Sequence, residues 1–170
     1  ALPIYTDLSG LFVNGLVVSN GAVTLAPRTS LAVVKAVPVD PEATVSVSGT
    51  ALVSGLNSVS VTVTAADGST RVYPIAVTVT PLSSDTSLKS LKVNEVDYVT
   101  DSTVTLGFGA KSAIITAAAN DAEAKVEITG NTALVGGLNT ANVKVTAANG
   151  DVRNYSVKLT VPVRSSNANI

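Results

Sequence analysis

The sequence predicts an all-β fold, two tandem antiparallel β-sandwiches in one chain. Three observations carry this: an internal repeat over nearly the whole length, period-two alternation of apolar and polar residues inside each copy, and Asn-Gly or Asp-Gly dipeptides between the alternating runs.

The repeat comes first. Ser54-Gly55-Leu56-Asn57 and the run Val59 to Gly68 recur as Gly136-Gly137-Leu138-Asn139 and Ala141 to Gly150, at an offset of 82 residues. Arg71-Val72-Tyr73 matches Arg153-Asn154-Tyr155 at the same offset. Upstream, Val45 to Gly49 matches Val126 to Gly130 at 81, and Leu8 to Asn14 matches Leu88 to Asn94 at 80. The slips mean single-residue insertions in the second copy, which belong in turns. The organisation that follows is an N-terminal arm over 1–7, a first sandwich over 8–81, a linker over 82–87, a second sandwich over 88–163 and a polar tail over 164–170. Pro81-Leu82-Ser83-Ser84-Asp85-Thr86 has the composition of a boundary.

Each strand is read from its alternation. Val59, Val61 and Val63 alternate with Ser60, Thr62 and Thr64, and Ile75, Val77 and Val79 with Ala76, Thr78 and Thr80. Val143 and Val145 alternate with Lys144 and Thr146. Such a pattern buries one face and wets the other. Asp67-Gly68 and Asn149-Gly150 sit between two such runs as hairpin signals, with further turns at Asn14-Gly15 and Asn20-Gly21. Pro38, Pro41 and Pro74 belong at strand ends or edges, where a missing N–H is tolerated. Ala117-Ala118-Ala119 favours helix on propensity, but its counterpart Ala36-Val37-Pro38 does not, so both are assigned as strand.

Composition then narrows function. The 170 residues contain no Cys, His, Met or Trp. That excludes Cys/His metal sites, Cys–His dyads and Ser–His–Asp triads. Carboxylates, Lys, Tyr and Ser/Thr remain, but no acid sits in a setting that would raise its pKa, so no catalytic residue, cofactor or metal is assigned. Hydrophobic residues make up 46% and charged residues 14%, below the ~25% charged share of ordinary domains. Mean hydropathy is +0.42, yet no stretch reaches the ~18 apolar residues of a membrane helix. A net charge of −1 gives no bulk attraction to nucleic acid. Neither a nucleic-acid nor a membrane partner is expected. The chain opens Ala1-Leu2-Pro3 without a basic and apolar leader, a start that initiator-Met removal or signal cleavage would both leave.

At these motifs each copy resembles the bacterial cadherin-like β-sandwich domain of the broad immunoglobulin-like group. The first copy carries Leu8/Leu11/Val13, Val45/Val47/Gly49, Asn57, Val61 to Ala65, Asp67-Gly68 and Tyr73. The second carries Leu88/Leu91/Val93, Val126/Ile128/Gly130, Asn139, Val143 to Ala147, Asn149-Gly150 and Tyr155. The resemblance implies immunoglobulin-like sandwiches in which Tyr73, Tyr155, Gly68 and Gly150 are structural, each Tyr hydroxyl bonding back to upstream backbone. With the exclusions above, it implies a non-enzymatic structural protein. The expected role is bacteriophage capsid decoration (cement) or another virion surface position, localised to the virion. The alternatives are a spacer or carbohydrate-binding module of a secreted bacterial surface protein, localised outside the cell, and a phage tail or fibre subunit.

Candidate sites follow. Asp40-Pro41-Glu42, Asp121-Ala122-Glu123 and Asp85 are the acids a calcium site would recruit, and they read as solvated loops. Asn154-Tyr155-Ser156 matches a glycosylation sequon by chance-level pattern. A sugar site would draw on Phe12, Phe108, Tyr5 or Tyr98 as free aromatics. Charge is uneven: residues 1–81 hold three basic residues (Arg28, Lys35, Arg71) and four acidic ones (Asp7, Asp40, Glu42, Asp67), against eight of each in the remainder. Low surface charge marks interface cores. The expectation is that the first copy, with the arm Ala1-Leu2-Pro3-Ile4-Tyr5, docks onto a protein assembly such as capsid or other virion proteins. The second copy then projects. Self-association into a homo-oligomer is compatible with this arrangement.

Overall fold

A computed structural model describes residues 5–165. The chain divides into two compact units, residues 1–82 and 83–170, and every described element is a strand, turn or loop. No helix among the described residues is long and apolar enough to cross a membrane.

Unit 1 holds seven strands: β1 Leu8–Val13, β2 Leu16–Val17, β3 Ala22–Leu25, β4 Val34–Pro38, β5 Thr44–Ser48, β6 Gly55–Thr64 and β7 Thr70–Val79. They form a three-stranded sheet in the order β2-β1-β4 and a four-stranded sheet in the order β3-β7-β6-β5. Unit 2 repeats this with β8 Leu88–Val93, β9 Val96–Asp97, β10 Thr103–Thr105, β11 Ile115–Ala119, β12 Lys125–Thr129, β13 Gly137–Thr146 and β14 Val152–Val161. Its sheets run β9-β8-β11 and β10-β14-β13-β12. The alanine run is strand, as the repeat demands. The insertions fall in the β9–β10 and β12–β13 connections, where offsets change from 80 to 81 and from 81 to 82.

One pair in each otherwise antiparallel sandwich is parallel, β3 with β7 and β10 with β14. Alternation along a strand reports its faces but not its neighbour's direction, so the sequence did not signal this. It also explains Pro74 inside the long strand β7. The N–H of Ala76 donates to the Gly21 carbonyl, towards β3, and Pro74 has the same parity. β3 starts opposite Ala76, so the N–H that Pro74 lacks would have met no strand.

The core of each unit lies between its two sheets. In unit 1 Val59, Val61, Val63, Ile75, Val77 and Val79 from the larger sheet meet Val13 from the smaller one, all essentially solvent-free. Val143, Val157, Leu159 and Val161 meet Val93 in unit 2. Deleting such a buried methyl-bearing side chain costs about 2–5 kcal/mol.

Local chemistry fixes the turns. Asn14 and Gly15 both have positive φ, as do Asn20 and Gly21, the requirement of a type I′ hairpin turn. The β6–β7 hairpin closes differently. Ala65 donates to Ser69 O and Gly68 to Ala65 O, and only Gly68 takes positive φ, giving a longer loop with the glycine in the left-handed position. Gly49 and Gly130 are glycines for two reasons: φ of +76° and +73°, and a Cβ there would lie 2.5 Å from Ser58 O and 2.8 Å from Thr140 O.

Candidate functional site

The conserved polar residues of the repeat are consumed by the scaffold. Tyr73 donates its hydroxyl to Thr6 O at 2.9 Å, and Tyr155 donates to Thr86 O at 2.9 Å. The bond crosses the whole domain to its first residues, rather than closing a local corner. Arg71 and Arg153 stack on these rings at 5.0 and 4.9 Å. Asn57 brackets a loop: its Oδ1 accepts from Val53 N, and its Nδ2 donates to Val53 O and Gly55 O. Asn139 does the same with Val135 and Gly137.

These contacts move the expected boundaries. Thr6 and Asp7 were assigned to the arm, but Thr6 binds Tyr73, and Asp7 pairs with Arg71 and accepts from Val39 N. The segment expected as linker, 82–87, is mostly unit 2: Ser83 O accepts from Asn149 N, and Asp85 accepts from Ser87 and Asn120. Within the expected arm, Ala1, Leu2, Pro3 and Ile4 lie outside the described residues, and Tyr5 is exposed.

The acidic candidates are turn formers. Asp40 Oδ1 accepts from Glu42 N, and Asp121 Oδ1 from Glu123 N, each closing the turn before β5 or β12. The Ser87 hydroxyl first, then Asn120 and the Ser87 amide, pull the Asp85 carboxyl down to about 2. Ser69 lowers Asp67, and Ser83 with the Glu123 amide lowers Asp121. These shifts favour the ionised form, the opposite of what a general acid requires. Asp121 Oδ2 is sealed from solvent without a well-aligned donor, and Asp85 is the charge that opposes its ionisation. No three His, Cys, Asp or Glu side chains converge among the described residues.

Of the four aromatics expected to be free for sugar stacking, Tyr5 and Phe108 are exposed and Phe12 and Tyr98 are not. Tyr98 packs on the unit 2 core, donates to Ser102 O at 2.8 Å and accepts from Lys158 N. Phe12 is half-buried, and Arg164 lies over Phe108 at 5.6 Å. Asn154 of the sequon accepts from Asn142 on the sheet face.

What remains is a surface. On the larger sheet of unit 1 the outward parity is Thr44, Ser46 and Ser48 on β5, then Leu56 to Thr64 on β6, then Thr70 to Thr78 on β7, with Ala22 and Thr24 on β3. Every one of these positions is uncharged. A shallow open depression lies on it, lined by Asn20, Gly21, Leu56, Ser58, Pro74 and Ala76. The matched face of unit 2 carries Lys125, Glu127, Lys144 and Lys158, with Lys144 and Glu127 paired at 3.2 Å. A matched isolated bridge is apolar in unit 1 and polar in unit 2. Leu31 bridges Ala51 in unit 1, where Ser112 bridges Thr132 in unit 2.

No family model matches the chain, and no curated protein matches it. Among solved structures, the fibronectin(III)-like modules of Clostridium thermocellum CbhA align with it at 11% identity and a TM-score of 0.29, covering 100% of this chain and 86% of that one. The fold class rests on the strand order itself: an all-β chain of two sandwiches.

Proposed function

We propose that the chain is a non-catalytic structural module that docks onto a larger protein assembly through the uncharged outer sheet face of unit 1. The supporting observation is the contrast between matched faces: none of the outward positions in unit 1 is charged, and four in unit 2 are. A face without charge desolvates cheaply, because no ion must leave water unpaired. In its finer form, which rests on the family resemblance alone, the assembly is a bacteriophage virion and the chain a capsid decoration protein. The arm Ala1 to Tyr5 is proposed to add to the contact; Ala1 to Ile4 lie outside the described residues, and Tyr5 is exposed. A cell-surface spacer or carbohydrate-binding module and a tail or fibre subunit are the competing assignments.

Co-sedimentation separates them. Purified virions are expected to carry the chain down, and bacterial cell walls and polysaccharide are not. Ser58→Glu combined with Ala76→Lys puts opposite charges on a cross-strand pair, so the sheet is kept while the face changes. This double variant is expected to lose attachment. Retained attachment would contradict the docking face, and sedimentation with cell walls instead of virions would contradict the virion assignment. Shortening the arm is a cleaner test at residue 4 than at residue 7, since Thr6 and Asp7 hold the domain.

A further inference from the structure

The strand order of unit 1 ends on β5, whose far side pairs with no other strand among the described residues. An antiparallel strand directs only half of its N–H and C=O groups to one neighbour, so the other half of β5 points outward. All five residues of β5 are exposed. From Ala43 to Ala66 the chain carries neither a charge nor a proline. Val45 and Val47, on the core-facing parity, are still 37% and 38% exposed. Their counterparts Val126 and Ile128 in unit 2 are half-buried and pack on its core. The other edges of unit 1 are blunted: β4 contains Lys35 and Pro38, β2 is two residues long, and β3 runs into Pro27 and Arg28.

We propose that β5 pairs with the β5 of a second copy of this chain, antiparallel about a two-fold axis at Ser46, joining two four-stranded sheets into one of eight strands. Symmetry decides the occupant. A two-fold axis sets the central residue against itself, and Ser46 against Ser46 brings two small neutral groups together. Val45 then lies opposite Val47 of the second copy, covering the valines that β6 leaves open, and Thr44 lies opposite Ser48. The same operation on β12 sets Glu127 against Glu127, and like charges directly opposite destabilise a pair. One chain thus carries two versions of the same edge, one able to self-pair and one barred by charge. A pairing of five residues buries less than the ~1,200–2,000 Å² of a stable interface, so the association is weak and concentration-dependent. It would double the uncharged face, but it rests on the edge alone and stands whether or not that face docks.

Sedimentation equilibrium of the intact chain tests this, up to roughly 1 mM, where weak pairs populate. The weight-average mass is expected to rise with concentration from 17.1 kDa towards twice that value. Ser46→Lys and Ser46→Glu, each alone, are expected to weaken association by at least about fivefold, and an equimolar mixture of the two to restore it, because opposite charges then face each other at the axis. Lys158→Ala, on β14 with a strand paired on either side, serves as a control that touches neither the β5 nor the β12 edge. A wild-type chain that stays monomeric throughout overturns the proposal, including the case in which a strand from another protein adds to β5 instead. So does association that ignores both variants, or a mixture that stays monomeric. Hydrogen exchange of the unaltered chain gives a reading independent of variant folding: the amides of Val45 and Val47, which the register turns away from β6, are expected to gain protection on concentration, and unchanged rates there overturn it too.

Discussion

The larger sheets of the two units share a register and differ in what they present. Ser46 pairs with Thr62 in unit 1, and Glu127 pairs with Lys144 at the equivalent positions of unit 2. Ala76 becomes Lys158, and Thr44 becomes Lys125. The backbone bonds, the Tyr hydroxyl to the domain's first residues and the Asn bracket are the same in both. Unit 2 therefore demonstrates that this scaffold accepts charge on its outer face. The absence of charge on this face of unit 1 is not a requirement of folding.

The scaffold half of this comparison breaks most severely at Gly49. Gly49→Ala is expected to cost unit 1 about 3–4 kcal/mol, since it adds left-handed strain to a collision with Ser58 O. Gly130→Ala in unit 2 should cost somewhat less, because its nearest carbonyl oxygen is 0.3 Å further away at 2.8 Å against 2.5 Å. Native-state hydrogen exchange reads each unit separately. Alanine accepted without loss at both sites would refute the collision that the shared geometry implies. Next come Asn57→Ala and Asn139→Ala, each removing the three bonds of the bracket, and at Asn57 also a longer bond from Nδ2 to Val77 O at 3.3 Å. Each is expected to lose about 2 kcal/mol, with the two losses alike.

Acid separates the units more gently. Asp85 in unit 2 is held at about 2 against its ordinary 3.8, so its contribution is present above pH ~4 and lost as pH falls towards 2. Tyr5 stands at the matching place in unit 1. Asp85→Asn should flatten the acid dependence of unit 2 exchange between those limits and leave unit 1 unchanged, and an unaltered profile would remove Asp85 from the account. The smallest effect is a gain. Glu95 occupies the second turn position with φ of 70°, where unit 1 has Gly15. Glu95→Gly should stabilise unit 2 by about 0.5–1 kcal/mol in thermal unfolding.

Alternation made the faces of β6, β7, β13 and β14 legible, because a period of two needs only local sequence. The repeat did the same for Ala117 to Ala119, overriding propensity. The lower charge of unit 1 could be counted along the chain. The edge status of β5 could not, since strand order is set by pairing across the fold. Tyr98 reads as free in the sequence because Lys158, whose N–H it accepts from, lies 60 residues away inside β14. Thr6 and Asp7 looked like arm because their partners Tyr73 and Arg71 lie more than 60 residues away.

Docking, as proposed, resides in the difference between the faces. Its most direct measurement is an exchange of their charges. One variant carries Thr44→Lys, Ser46→Glu, Thr62→Lys and Ala76→Lys; the reverse variant carries Lys125→Thr, Glu127→Ser, Lys144→Thr and Lys158→Ala. Both should fold with little change in Tm, since each places on one scaffold what its twin already bears. In co-sedimentation with virions, the first variant is expected to lose attachment and the second to keep it. Attachment that survives the first exchange, or is lost with the second, would contradict the account.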